Sequence, residues 1–318
     1  MSVKNKVINL SVIVLICLVY LCVTIMGIIM MLPNNSAEKL NAISNFEIVD
    51  NLADGNGKKA KVVILAGQSN ADGVASKNYL KANVGDAKYQ TYENGFDNVY
   101  INYFNSNGTN FSNGFEKTAV GCGFTKDYFG PELGIAEKLN ELYVDEQFFI
   151  IKYSWGGSNL HTQWRSPSSS GKTGELYTAF KNFVNANLHY LILKNYDIEI
   201  SAVCWMQGES DSFNIIDAHK YKNNLLNFIL DVRKDFDKYK ADGGIKFVDA
   251  YIANADIWKY NKIVNGAKTI VERASKLNYC VDTISNNLTR KEPIENPDLA
   301  HYDSLSQIKL GHLFAEKI

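Results

Sequence analysis

The sequence predicts an α/β domain in which helices cover both faces of a parallel sheet. Two observations support this prediction. Short apolar runs that end in turn residues, such as Val62–Ala66 before Gly67, are typical of buried parallel strands. Helix signals alternate with these runs along residues 61–318, and this alternation favours a parallel sheet with helices on both sides.

The elements follow one another in a regular order. Pro131 and Glu132 stand where a helix prefers proline and acidic residues, and Asp303 is a suitable N-cap for the last helix. Strands are predicted at 61–67, 98–104, 147–153, 199–206 and 246–252. Helices are predicted at 131–142, 173–194, 215–238, 265–277 and 304–317.

The amino-terminal part differs in composition from the rest. Residues 7–32 contain no charged side chain, and about 20 apolar residues suffice to cross a bilayer as a helix. We therefore predict a cytoplasmic tip and transmembrane signal anchor over 1–32, a polar linker over 33–60 and one folded domain over 61–318. Lys4 and Lys6 precede the run, so the domain is expected outside the cell membrane. The alternative is a cleaved signal peptide and a secreted protein.

Charge and cysteine content exclude several classes of protein. The chain has 33 basic and 34 acidic residues and a net charge of −1, without a basic block, so nucleic acid is not an expected partner. Cys122, Cys204 and Cys280 match no zinc motif. No phosphate loop or dinucleotide fingerprint is present, and we expect neither a metal nor another cofactor.

Ser69 is a candidate nucleophile. It follows the first predicted strand directly, at the carboxyl end where open α/β sheets place their ligands. A serine hydroxyl needs a neighbouring base before it can attack a carbonyl carbon. The alternative role for Ser69 is that of a helix N-cap.

His301 is the candidate base. Alone among the five histidines, it follows an acidic residue at a spacing of three, and Asp298 could accept a hydrogen bond from its ring in a turn. Asp303 is a second candidate for this accepting role. The alternative is a chance pairing of Asp298 and His301 in a loop.

Four sequence blocks, taken in order, resemble one enzyme family. They are Gly67-Gln-Ser-Asn70, Gly130-Pro-Glu-Leu133, Trp205-Met-Gln-Gly-Glu-Ser-Asp211 and Asp298-x-x-His301. The chain resembles serine esterases of the SGNH-hydrolase superfamily, and most closely the carbohydrate-esterase branch with sialate O-acetylesterases and acetylxylan esterases. No Gly-x-Ser-x-Gly elbow surrounds Ser69, which separates the chain from lipase-type α/β-hydrolases.

The resemblance implies a three-layer α/β/α, flavodoxin-like fold and a Ser69–His301–Asp298 triad. It also implies three oxyanion donors, namely the backbone N–H groups of Ser69 and Gly157 and the side-chain amide of Gln207. An alternative role for Gln207 is a structural amide that holds its loop. The implied substrate is an acetylated sugar of the sialic acid or xylan type.

Four further side chains are predicted to contact the substrate: Gln68, Asn70, Trp164 and Glu209. Trp164 lies in one of two long polar loops, 105–125 and 161–174, that are expected to line the cleft. Glu209 and Asp211 would be the acid and base of a glycosidase in another interpretation, which the serine blocks disfavour.

Two other functions stay open. An O-acetyltransferase would use the same triad with a sugar acceptor in place of water. A carbohydrate-binding module without activity would retain the fold alone. The oligomeric state does not follow from the sequence.

Overall fold

The computed structural model describes residues 48–108 and 110–318. The predicted transmembrane helix, at 7–32, lies outside the described residues. Within the described part of the chain, no helix is both long enough and apolar enough to cross a membrane.

Strands and helices alternate through the domain as predicted. The strands are β1 Lys59–Gly67, β2 Ala75–Ser76, β3 Val99–Phe104, β4 Glu116–Lys117, β5 Tyr128–Phe129, β6 Gln147–Ser154, β7 Asp197–Met206, β8 Lys246–Ala250 and β9 Asn278–Val281. The helices are α1 Ser69–Asp72, α2 Lys77–Val84, α3 Asp86–Asn94, α4 Pro131–Leu142, α5 Glu175–Leu193, α6 Ile215–Asp235, α7 Asn261–Arg273 and α8 Ser304–Ala315.

A mostly parallel sheet forms the centre of the domain, with the strand order β4-β3-β6-β1-β7-β8-β9. Only β4, at one edge, pairs antiparallel among its strands. If β3 and β4 are set aside, the remaining strands in chain order read 2-1-3-4-5, which is the flavodoxin order. The predicted fold is therefore present with a two-strand extension at one edge.

Helices lie on both faces of this sheet. The connection from β1 to β6 runs toward one edge of the sheet, and the connection from β6 past β1 to β7 runs toward the other edge. Right-handed crossovers in opposite directions place their helices on opposite faces. On one face α4 and α8 cross closely, because a Cβ at Gly134 would lie only 2.1 Å from the carbonyl oxygen of Ile308. On the other face α5 and α6 bring Phe180 and Phe228 together, with ring centroids 6.2 Å apart.

The predicted linker, 33–60, has its last part within the described residues. Val49 donates its N–H to Asn113 at 2.5 Å, and the N–H groups of Asn51 and Leu52 donate to the Tyr190 hydroxyl at 3.1 Å. This part of the linker is therefore hydrogen-bonded to the domain.

Strand β1 lies in the middle of the sheet, next to the point where the direction of the connections reverses. It is flanked by β6 and β7, and the connections that follow β1 and β6 run in opposite directions along the sheet. At its carboxyl end Gly67 pairs with Ser154 of β6 and Met206 of β7. Ligands of open α/β sheets bind beyond this kind of switch point.

Candidate active site

The turn after β1 presents Ser69 at a tightly packed corner. Gly67 has a φ of +144°, and a Cβ there would lie 2.0 Å from the carbonyl oxygen of Met206, so only glycine fits. The N–H of Gln68 donates to that same oxygen at 2.9 Å, and the N–H of Trp155 donates to Gly67 at 2.9 Å. Both neighbouring strands thus fix the turn, and Ser69 stands half-buried at the start of α1.

Asp298 and His301 form a hydrogen-bonded pair just before α8. Oδ2 of Asp298 lies 2.6 Å from Nδ1 of His301, and its Oδ1 accepts from the N–H of Ala300 at 2.8 Å. Partial burial opposes the charge of Asp298, yet the bonds from His301 and Ala300 hold the pKa of this carboxyl below its ordinary value. The side chain of His301 is 24% exposed, so its ring can reach an entering ligand.

The side chain of Asn70 connects this pair to the turn of Ser69. Its Oδ1 accepts from the N–H of Tyr302 at 3.0 Å, and its Nδ2 donates to the carbonyl of Ala300 at 3.3 Å. These two residues flank His301 in the chain. The residue next to Ser69 therefore holds the backbone on either side of His301.

A glycine loop after β6 borders Ser69 on another side. A Cβ at Gly156 would lie 3.7 Å from Cβ of Ser69, so the two residues are close neighbours. Gly156 donates its N–H to the hydroxyl of Ser106, which in turn is hydrogen-bonded to the buried carboxyl of Asp72. The N–H groups of Ser69 and Gly157 have no hydrogen-bond partner among the described residues.

The structure gives Gln207 a different position from the one expected of an oxyanion donor. Its amide is fully buried, and Nε2 donates to Oδ2 of Asp211 at 2.6 Å and to the carbonyl of Ser158 at 3.0 Å. The Tyr221 hydroxyl donates to its Oε1 at 3.1 Å. Because the buried carboxylate of Asp211 and the Ser158 carbonyl take both N–H groups, the amide holds the loop together instead.

The four side chains that were predicted to contact the substrate are also buried, and they are hydrogen-bonded within the protein. Trp164 is 0% exposed, packs its ring edge-on against Trp205 at 5.1 Å and donates Nε1–H to Ser158 at 2.7 Å. Gln68 and Glu209 are turned inward as well. Gln68 accepts from backbone N–H groups of the loop after β7, and Glu209 accepts from Nδ2 of Asn70 at 2.8 Å.

Two carboxyl groups of this network have raised pKa values. Burial raises the pKa of Asp211 to about 6, although hydrogen bonds from the backbone of Leu160 and from Gln207 partly oppose the rise. Burial likewise raises the pKa of Glu209. The network beneath Ser69 is thus sensitive to any substitution that would leave one of these groups without its partner.

A comparison with family models identifies the family of the chain. Residues 59–318 match the family model described as carbohydrate esterase, sialic acid-specific acetylesterase. The chain belongs to this family. It is therefore an ester-hydrolysing enzyme of the carbohydrate acetylesterase class. No curated protein matches the sequence significantly.

Solved structures share the fold of this esterase at low sequence identity. A protein of Arabidopsis thaliana superposes with a TM-score of 0.58 at 19% identity, over 80% of this chain and 96% of its own. The protein NanS superposes with a TM-score of 0.60 at 15% identity, over 82% of this chain and 97% of its own. These similarities support the fold.

Sequence reasoning missed several buried charges in the esterase, and Lys152 is the one behind Ser69. Lys152 is fully buried in β6, where Nζ donates to the carbonyls of Asp72 and Cys122 at 2.7 and 2.8 Å and to Oε2 of Glu132 at 2.8 Å. It thereby fixes the end of α1 behind Ser69. The signal was present, because a lysine inside the apolar strand Phe148–Tyr153 requires a buried acceptor.

A cavity of about 270 Å³ adjoins the Asp298–His301 pair. Its walls come from the segment after α1, from β5 and from the loop before α8. Within the described residues, no group of three or more His, Cys, Asp or Glu side chains could hold a metal ion.

Proposed function

We propose that this esterase removes O-acetyl groups from a carbohydrate, with Ser69 as nucleophile, His301 as general base and Asp298 as the residue that orients His301. The observation that supports this most strongly is the 2.6 Å bond between Asp298 and His301 on a loop that Asn70 holds beside Ser69.

In the first step Oγ of Ser69 attacks the ester carbonyl carbon, and Nε2 of His301 takes the hydroxyl proton. The carboxylate of Asp298 accepts the Nδ1–H bond, which fixes the tautomer that leaves Nε2 free as a base. It also stabilises the imidazolium that forms. His301 then gives its proton to the sugar oxygen as the C–O bond breaks.

The tetrahedral intermediate carries a negative oxygen that needs hydrogen-bond donors. The backbone N–H groups of Ser69 and Gly157 fill this role in our proposal, because both lack a partner among the described residues. The loss of one such donor costs on the order of 10²–10³ in rate. Gln207 supports the loop and does not contribute a third donor.

Water completes the reaction. With His301 again as base, water attacks the acetyl-enzyme, and acetate leaves as the proton returns to Oγ of Ser69. The acetylated sugars that we propose as substrates are of the sialic acid or xylan type, in keeping with the family.

The test measures acetate release by the full-length chain from O-acetylated sialic acid, acetylated xylan and an aryl acetate. Ser69→Ala should lower kcat by a factor of ~10⁴ or more, because the covalent path is lost. Ser275→Ala, a serine just after α7, is the matched control and should retain full activity. Acetate release that persists in a folded Ser69→Ala variant would exclude this mechanism. Transfer of acetyl to an added glycan in place of release would indicate the transferase.

A further inference from the structure

The proposed mechanism fixes which side of the site holds the sugar. His301 must donate its proton to the oxygen of the departing sugar, so that oxygen comes within hydrogen-bond distance of Nε2. The acetyl carbonyl lies toward the N–H groups of Ser69 and Gly157. The sugar ring itself therefore lies on the side of His301.

A cavity of suitable size lies on that side. It encloses about 270 Å³ and is bounded by Asp298 and His301 themselves. Val74 also lines it and follows Gly73, whose N–H donates to the carbonyl of Ser69 at 2.9 Å. The cavity thus borders two of the three proposed catalytic residues, and part of its wall follows the helix that begins with Ser69.

Its walls are partly aromatic. The half-buried rings of Tyr79 and Tyr128 face it from α2 and β5, and Pro293 closes one side. Hydroxyl Oη of Tyr79 donates to Glu295 at 3.3 Å, which holds that ring in place. Aromatic faces of this kind suit the apolar C–H surface of a pyranose.

Apart from His301, the charged side chains that line the cavity are carboxylates. Glu292 and Asp303 line it beside Asp298, and no lysine or arginine is among its described lining residues. Both additional carboxylates are fixed at the start of α8, where Glu292 accepts from the N–H of Ser304 at 2.8 Å and Asp303 accepts from the N–H of Ser306 at 3.0 Å. Their charges therefore stay near any ligand that enters.

One cation near the cavity, Arg290, is hydrogen-bonded to the loop before α8. Arg290 does not line the cavity, and its guanidinium donates to the carbonyl of Leu299. A substrate carboxylate in the cavity would meet like charge without a compensating partner, which disfavours binding.

We infer that the cavity lined by Tyr79, Tyr128, Glu292, Pro293 and Asp303 binds an uncharged acetylated sugar, and that a sugar bearing a carboxylate, such as sialic acid, is a poorer substrate. This inference rests on the proposed function of Ser69 and His301. It departs from the substrate in the family's description, so it can be contradicted directly.

The decisive experiment compares two forms of one sugar. Acetate release by the full-length chain is measured with O-acetylated N-acetylneuraminic acid and with its C1 methyl ester, which differs only in lacking the negative charge. The methyl ester should have the higher kcat/KM by about thirtyfold, the factor expected from unit-charge repulsion across ~8 Å near a protein surface. The difference should shrink in 0.5 M salt. An acetylated methyl xyloside should be at least as good as the methyl ester.

Variants supply the matched controls. Tyr79→Arg places a cation at the cavity and should reduce the difference in kcat/KM between the free acid and the methyl ester. Tyr79→Gln should leave this difference unchanged. Arg290→Gln should also leave it unchanged. If the free acid is the better substrate, and Arg290→Gln removes that preference, the inference is overturned while the esterase mechanism stands. If Ser69→Ala does not affect hydrolysis of an aryl acetate, the proposed function itself fails.

Discussion

At the level of single residues, the polar side chains around Ser69 are mostly hydrogen-bonded to one another. Asn70 bonds Glu209 and both backbone neighbours of His301, and Gln207 bonds Asp211, Ser158 and Tyr221. Residues next to a nucleophile in sequence can thus serve to position it. The sequence motif shows that these residues belong to the site. Their burial indicates that they position other groups and do not contact the substrate.

Gln207 allows a direct test of this distinction. Gln207→Met keeps the length of the side chain but removes the amide that donates to Asp211 and accepts from Tyr221, so it should lower the free energy of unfolding by about 1–3 kcal/mol. Urea unfolding and kcat of the folded variant are the measurements. A variant of unchanged stability with kcat lowered by 10²–10³ would instead restore the amide as an oxyanion donor.

The sequence identified Ser69, Asp298 and His301 as candidates because their motifs are short and local. It could not show that Trp164 is buried, since a tryptophan in a polar loop is compatible with either role until its packing is known. It could not connect Asp72 to Ser106 and Gly156, because these residues come from three separate segments. A short sequence motif cannot predict hydrogen bonds between residues that are far apart in the chain.

At the level of elements, the strands that were predicted are those with uniform apolar runs. Helix α4 begins and ends where the proline and its periodicity predicted. Strand β9, Asn278–Val281, and helices α2 and α3 were not predicted, because a four-residue strand and two polar helices give little periodic signal. Helix α7 begins at Asn261, four residues before its prediction.

The crossing of α4 and α8 depends on two glycines. A Cβ at Gly134 would lie 2.1 Å from the Ile308 carbonyl oxygen, and one at Gly311 would lie 2.2 Å from that of Pro131. Backbone cannot move aside easily, so Gly134→Ala should lower the free energy of unfolding by about 2–4 kcal/mol. Gly266→Ala, in α7, is the control and should raise it by about 0.5–1 kcal/mol, since no atom lies within 4 Å of the added carbon. Thermal unfolding reports both changes, and equal effects would contradict the packing argument.

The same pair of helices carries a pH-dependent contact. Burial opposes the charge of Glu137, but hydrogen bonds from His312, Lys88 and Tyr92 outweigh it and lower its pKa to about 2. Because the folded pKa lies below the unfolded one, this contact stabilises the protein above pH ~4.5 and loses its effect as the pH falls toward 2.

Glu137→Gln should therefore lower the free energy of unfolding by about 2–3 kcal/mol at pH 7 and by much less at pH 2.5. Urea unfolding at pH 7, 4 and 2.5 measures the difference between variant and parent. A difference that stays constant over this range would show that the ionised carboxylate is not the stabilising form.

At the level of the whole molecule, the catalytic domain is joined to a charge-free amino-terminal run at residues 7–32. From the sequence we expect this run to anchor the domain to a membrane. The full chain should sediment with membranes and be released by detergent but not by salt, whereas a chain without residues 1–32 should stay in the supernatant. A shortened amino terminus on the mature protein would favour the cleaved signal peptide.

The bonds from Asn70 to Ala300 and Tyr302 join the beginning of the domain to its end. A ribosome that has synthesised β1 through β9 has already made the proposed nucleophile and the whole parallel sheet, but not the proposed base and its partner. In the proposed mechanism, a chain that lacks its last segment therefore has the serine without the histidine that activates it, and we expect such a chain to release no acetate.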